Sequence, residues 1–245
     1  MFVLSLIVFV AFLTEAIVGF GAAVLTVTLG AHQMGIEPML ARFLPLNLLL
    51  SLVLLLRARK LVHKRILLCF LLPPLGAGLV LGMLLARFQG GPWLRILFGF
   101  FVVFLSMSEL ARLGTKPRIC SPPHPWLDQV MLVLGGIIHG LFGSGGPMIV
   151  YVLSRRVPER GAMRATLAAL WVLLNALLLS SFLAQGQLSA ATLSDSVLLL
   201  PSLVLGLWLG EYLHHRLPEL PFRRLVYVVL LLAGGALVLR ALLWG

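Results

Sequence analysis

The residues with the clearest chemical potential are Gly143-Ser144-Gly145-Gly146-Pro147, inside the stretch Gly140–Pro147, with a fainter echo in Gly19-Phe20-Gly21-Ala22-Ala23. Both lie within long apolar runs. Each glycine costs a helix about 1 kcal/mol relative to alanine, so Gly143, Gly145 and Gly146 with a serine and a proline among them predict a break. Proline suits the first turn of the helix that follows, where its missing N–H is no loss. The expected arrangement is half-helix, glycine break, half-helix, with second arms starting at about Ala22 and Gly146. At membrane depth a break persists only where it is packed in protein or lines a polar cavity. Unpaired backbone N–H groups at Gly21, Ala22, Gly145 and Gly146 would sit at a positive dipole end, able to cradle a small oxyanion. Ser144 would add a hydroxyl, and glycine at 19 and 143 would let a ligand approach the backbone closely. Small residues also allow close helix packing in membranes, and that alternative stays open.

Other groups with chemistry fall near the breaks. Glu15 and His139 occupy equivalent positions one turn before each break. An ionisable group in mid-membrane is costly and suggests function, here the carriage of a coupling proton. A hydrogen bond to the broken backbone is the other reading. Asn47 and Asn175 lie in the helices after each break and could contact substrate or bridge helices. Arg42 matches Arg164 across the two halves and is a candidate for anion recruitment. His139 with Ser144 is the one pair resembling a nucleophile and its base, and no third orienting group accompanies it. With eight acidic residues in the chain, intramembrane enzyme chemistry is the weaker reading, beside that of a membrane scaffold or assembly factor. His214-His215 lacks companion ligands, so neither a metal nor another cofactor is expected. No GxxxxGK motif is present for nucleotide.

The elements that must position these groups are membrane helices. Of 245 residues, 60% are hydrophobic and 11% charged, against about 25% charged in a soluble domain. The chain reads as a multi-pass protein of the inner (plasma) membrane. Its net charge of +11 reflects loops flanking apolar runs rather than nucleic-acid binding. Apolar segments fall at about 1–31, 39–56, 66–86, 93–111, 126–154, 165–184, 192–213 and 222–244. The first and fifth are too long for one span and too short for two, since a span takes ~20 residues. Each is expected to be a hairpin with a longer arm, a glycine tip and a shorter arm of about three turns. Cys69 and Cys120 form no CxxC motif and are read as unpaired. Trp93, Trp126, Trp208 and Trp244 sit near segment ends, as interfacial anchors do.

The sequence also repeats. Glu15–Gly21 aligns with His139–Gly145, and Leu79-Val80-Leu81-Gly82 with Leu203-Val204-Leu205-Gly206, at one common offset. The expected organisation is a first membrane repeat at 1–115, a polar link at 116–125 and a second repeat at 126–245. Charge then tests topology. If all eight segments cross, the 19 Lys and Arg residues divide almost evenly between the two faces. If segments one and five return to the face they left, only Arg42, Arg87, Arg95 and Arg240 stay on one face. The others gather on the second face, as the positive-inside rule requires. The expectation is an all-α inverted repeat, each half a glycine-broken hairpin followed by three transmembrane helices, with both termini outside the cytoplasm. Inverted repeats with broken helices are a transporter architecture. The expected partners are a small anionic substrate and the lipid bilayer, and the sequence leaves room for a homo-oligomer.

Gly140-Leu-Phe-Gly-Ser-Gly-Gly-Pro147, its weaker copy at 19–23, the length and the two-half layout resemble the sulfite exporter (TauE/SafE) family of membrane permeases. The resemblance covers nearly the whole chain. Ala22 and Ala23 depart from the family's glycine-rich first motif. The resemblance implies secondary transport of sulfur-containing anions, such as sulfite, sulfoacetate and other organosulfonates.

Overall fold

The computed structural model describes residues 2–18, 21–88, 92–113, 125–157, 159–214 and 219–244. Among these the chain is helical, with no strand. The helices are α1 (Phe2–Val18), α2 (Ala22–Met34), α3 (Ile36–Ala58), α4 (Leu72–Phe88), α5 (Pro92–Leu113), α6 (Pro125–Phe142), α7 (Gly146–Ser154), α8 (Arg160–Ala184), α9 (Ala190–His214) and α10 (Glu219–Trp244). Among the described residues, five helical stretches have the length and composition to cross a membrane: Ile36–Leu61, Ile66–Ala86, Pro125–Phe142, Gly161–Ala184 and Ala190–Leu213.

Both long apolar runs are broken where their glycines cluster. The 18 residues of α6 reach roughly 27 Å, and the nine of α7 roughly 14 Å, about half a bilayer core. The join between α2 and α3 is tighter than the sequence suggests. Gly35, at φ +88°, makes the turn alone, so α3 starts at Ile36 rather than near 39. Ile66–Leu71 takes a wider π-helical register just before α4. It lies immediately upstream of Pro73 and Pro74, whose missing N–H groups interrupt an ordinary α ladder. The polar link falls largely outside the described residues, as does Cys120; Cys69 is a free, exposed thiol.

The chain forms two compact units. One comprises Met1–Leu40, Arg87–Arg118 and Leu198–Gly245. In it, α9 presents Gly206 and Gly210 to α1: a Cβ on Gly206 would come 2.8 Å from the Phe9 carbonyl oxygen and 3.1 Å from the Leu13 nitrogen. Helices α5 and α10 meet at Gly99 and Gly234, where a Cβ on Gly99 would lie 3.2 Å from the Gly234 carbonyl oxygen.

The other unit comprises Ala41–Ala86 and Ile119–Val197. Its core joins Leu71, at the end of the π-helical turn, and Leu75 and Leu79 of α4 to Leu132 of α6, Ile149 and Val152 of α7, and Leu170 and Leu174 of α8. Helices α4 and α6 cross backbone to backbone. Gly78 and Gly82 of α4 face Val133 and Ile137, and Gly136 and Gly140 of α6 face Leu75 and Leu79. Glycine four residues apart on both helices permits this approach. At one end of the unit the two basic loops meet: the Thr166 hydroxyl accepts the His63 N–H at 3.1 Å, and Gly161 lies against Leu61. Another contact holds the starts of α3 and α9 together. Arg42 Nε donates to Asp195 Oδ2 at 2.8 Å, and Ser196 Oγ donates to the Arg42 carbonyl at 2.9 Å. Trp126 and Trp208 are exposed, whereas the side chains of Trp93 and Trp244 lie outside the description.

Candidate functional site

The second break shows how the glycine cluster divides its labour. The last turn of α6 closes with the Gly143 N–H donating to the His139 carbonyl at 2.7 Å. Gly143 then takes φ +65°, the left-handed conformation that ends helices and that glycine adopts without a Cβ penalty. Gly145 has a different task. A Cβ there would strike the Gly135 carbonyl oxygen and lie 3.3 Å from the His139 Cβ. It therefore lets the second arm fold back on the first, with Met148 and Ile149 reaching Gly135. Gly146 opens α7, Pro147 follows in its first turn, and no side chain caps that helix. Residues 139 to 147 are all buried. The glycines thus serve both packing and turning, and the packing alternative accounts for Gly135, Gly136, Gly140 and Gly145.

His139 packs against this uncapped tip, its Cβ 3.3 Å from where a Cβ on Gly145 would stand. His139 is 1% exposed, and neither ring nitrogen has a hydrogen-bond partner. Its ring stacks on Trp171 of α8, with centroids 5.5 Å apart and planes 17° from parallel. Asn175, one turn along α8, is fully buried and lies within reach of the imidazole. Both polar atoms of its amide nevertheless lack a partner of normal geometry. Ser144, also buried, is at the tip itself. Buried polar groups are nearly always hydrogen-bonded, and an unsatisfied one calls for an explanation. Here one of two neighbouring ones, His139, packs against Gly145, the residue just before a helix N-terminus that attracts negative charge.

The first break is built differently. Glu15, also buried, reaches forward so that its Oε2 accepts the Ala22 backbone N–H at 3.1 Å. The carboxylate therefore caps α2, and the Gly21 carbonyl accepts the Leu25 N–H at 3.0 Å. Gly19 lies outside the described residues.

Asn47 of α3 is buried with its Oδ1 unpartnered, and Ser51, one turn on, is buried with its hydroxyl unpartnered. Arg42 is tied to Asp195, so its charge is already balanced by a carboxylate. Arg164 is half-buried in α8. No group of three or more His, Cys, Asp or Glu is placed to hold a metal among the described residues.

Sequence reasoning missed two features. Trp171 is the tryptophan farthest from a segment end, and its spacing of four from Asn175 was the available signal. Asp128, in the first turn of α6, has no accessible surface. It accepts a hydrogen bond from Arg155, and another from Arg156 Nη2 at 2.8 Å. The guanidinium of Arg155 also lies over Tyr151 and that of Arg156 over Phe70, 4.5 and 3.6 Å from the ring centres. The open end of the second hairpin is thereby latched.

The model of the sulfite exporter TauE/SafE family matches residues 4–237. The chain belongs to this family. Membership makes it a multi-pass membrane protein of a transporter family, in keeping with its five membrane-length helices. A curated relative is described as the probable inner membrane transporter protein TsaS of Comamonas testosteroni. It is 27% identical over 168 residues, which cover 68% of this chain and 69% of the relative. No solved structure matches the TauE/SafE chain described here.

Proposed function

We propose that this protein is a secondary transporter of small sulfur oxyanions or organosulfonates in the inner membrane, and that it holds its substrate at the second break. The observation that carries this reading is the uncapped start of α7 beside the unpartnered, buried side chains of His139 and Asn175. An oxyanion there would accept N–H groups from the helix terminus, the Asn175 amide and the imidazole, with Ser144 adding a hydroxyl. Each is a donor to charge, and none needs a resident cation. His139 is also the candidate to carry a coupling proton, being able to gain one beside a bound anion. A transport role, rather than an enzymatic or scaffold role, is favoured by the family.

The contacts support the inverted-repeat topology. The loops at 57–65 and 155–164 carry nine of the basic residues and come together through His63 and Thr166. This end would face the cytoplasm. The Arg42–Asp195 contact would face the other side, with both termini. The first half would run to 115 and the second from 126. The Gly82–Ile137 and Gly206–Leu13 contacts pair equivalent positions of the two halves in reversed roles. Uptake into proteoliposomes with sulfite, thiosulfate, sulfoacetate, taurine and chloride tests the function. Saturable flux confined to the sulfur anions is expected; flux of none of them, or of chloride equally well, would exclude the proposal.

A further inference from the structure

The two broken hairpins carry related sequences, and their tips differ in one decisive respect. At the first, the start of α2 already has an anion: the Glu15 carboxylate, 4% exposed, on the Ala22 N–H. At the second, the equivalent position is His139, and no side chain caps α7. A carboxylate and a sulfur oxyanion make the same demands of a helix N-terminus, namely backbone N–H donors and a positive dipole end. They therefore compete for it. A tethered carboxylate competes at high effective concentration, mM or more for a short connection.

We infer that Glu15 is a built-in anion that fills the first tip, so that each chain binds its substrate anion at the second tip alone. This rests on the transport reading above for the identity of the substrate; the occupancy of the first tip by Glu15 does not. Sequence differences point the same way. The first tip has Ala22 where the second has Gly146, so a Cβ stands at the first residue of α2 and none at the first residue of α7. Glu15 in this role is a positioning residue: it holds the start of α2 without touching substrate. The pair Glu15/His139 is then one device in two forms, an internal anion in one half and an open place for an external one in the other.

The test uses the purified full chain in detergent, with sulfite and formate as probes. Titration calorimetry on the parent should give one sulfite per chain. Glu15→Ala should expose the first tip and raise this to two, the new site being the weaker. Formate, a carboxylate without a tether, should raise the thermal midpoint of Glu15→Ala further than that of the parent, in which only the second tip is open to it. Glu15→Gln keeps an amide oxygen for the Ala22 N–H and should retain one sulfite per chain; it also serves if Glu15→Ala does not fold. Two sulfites per parent chain would overturn the inference. So would a folded Glu15→Ala that gains no more from formate than the parent does, or two sulfites bound by Glu15→Gln. If the parent binds no sulfite but formate still stabilises Glu15→Ala, the transport reading fails and the built-in anion stands.

Discussion

Replacing Asn175 with leucine should move stability and binding in opposite directions. Leucine matches asparagine in the number and branching of its side-chain heavy atoms, so it fills the same space on α8. In the protein without ligand, both polar atoms of Asn175 are buried and lack partners. Leaving a buried polar group unsatisfied costs about 1–3 kcal/mol, and leucine removes that cost. The thermal midpoint should therefore rise, by roughly 2–4 °C per kcal/mol for a chain of this length. With an anion bound, the amide N–H becomes a donor to charge. Losing such a bond costs about 1.5–3 kcal/mol, or roughly ten- to a hundred-fold in affinity. Thermal unfolding with and without sulfite, followed by calorimetric titration, reads both effects. A helix-bridging asparagine gives the opposite pattern. If Asn175→Leu lowers the midpoint and leaves affinity unchanged, its amide bonds within the protein, His139 being the nearest candidate, and it is no part of an anion site.

Three other outcomes follow from the contacts. Asp128→Asn should destabilise the second hairpin by about 1–3 kcal/mol in thermal unfolding; this is below the usual cost of breaking a buried pair because Arg155 and Arg156 keep 15% and 26% of their side-chain surface and stay partly solvated. An unchanged midpoint would mean the latch carries no energy. Gly136→Ala should cost about 1–3 kcal/mol or more, because its Cβ would collide with the Leu75 carbonyl oxygen and sit 2.9 Å from the Leu79 nitrogen. Gly76→Ala, with nothing within 4 Å, should stabilise α4 by up to about 1 kcal/mol; equal effects at the two positions would refute the tight α4–α6 crossing. Single cysteines placed in the 57–65 and 155–164 loops of a cysteine-free parent should be labelled from one face of the membrane, and labelling from opposite faces would sink the inverted-repeat topology.

Much of the fold is local and was legible in the sequence. Glycine clusters with a following proline announce the breaks, and the length of each apolar run requires them. The grouping of basic loops depends on reading segments one and five as hairpins, which the Asp128–Arg155–Arg156 latch and the packing of Gly145 on Gly135 realise for the second. The roles of individual glycines were not legible. Whether a glycine turns the chain or admits a neighbour depends on what faces it: Gly143 turns, while Gly136, Gly140 and Gly145 meet another backbone. Pairings between distant positions were hidden for the same reason. Arg42 stood out as an anion recruiter on the charge-poor face, and the partner that balances it, Asp195, lies 153 residues away. Glu15 and His139 look equivalent by position, yet only Glu15 finds a backbone donor within reach.

The most direct test of anion binding at the second break is the flux of radiolabelled sulfite into proteoliposomes bearing the parent or the double variant His139→Phe/Asn175→Leu. Phenylalanine preserves a ring to stack on Trp171, and leucine preserves the shape of the amide, so the double variant should fold and insert like the parent. An anion held at this tip predicts saturable sulfite flux in the parent and its loss in the double variant at equal folded protein. Parent-like flux and half-saturation in the double variant would contradict it and move the substrate site away from the start of α7.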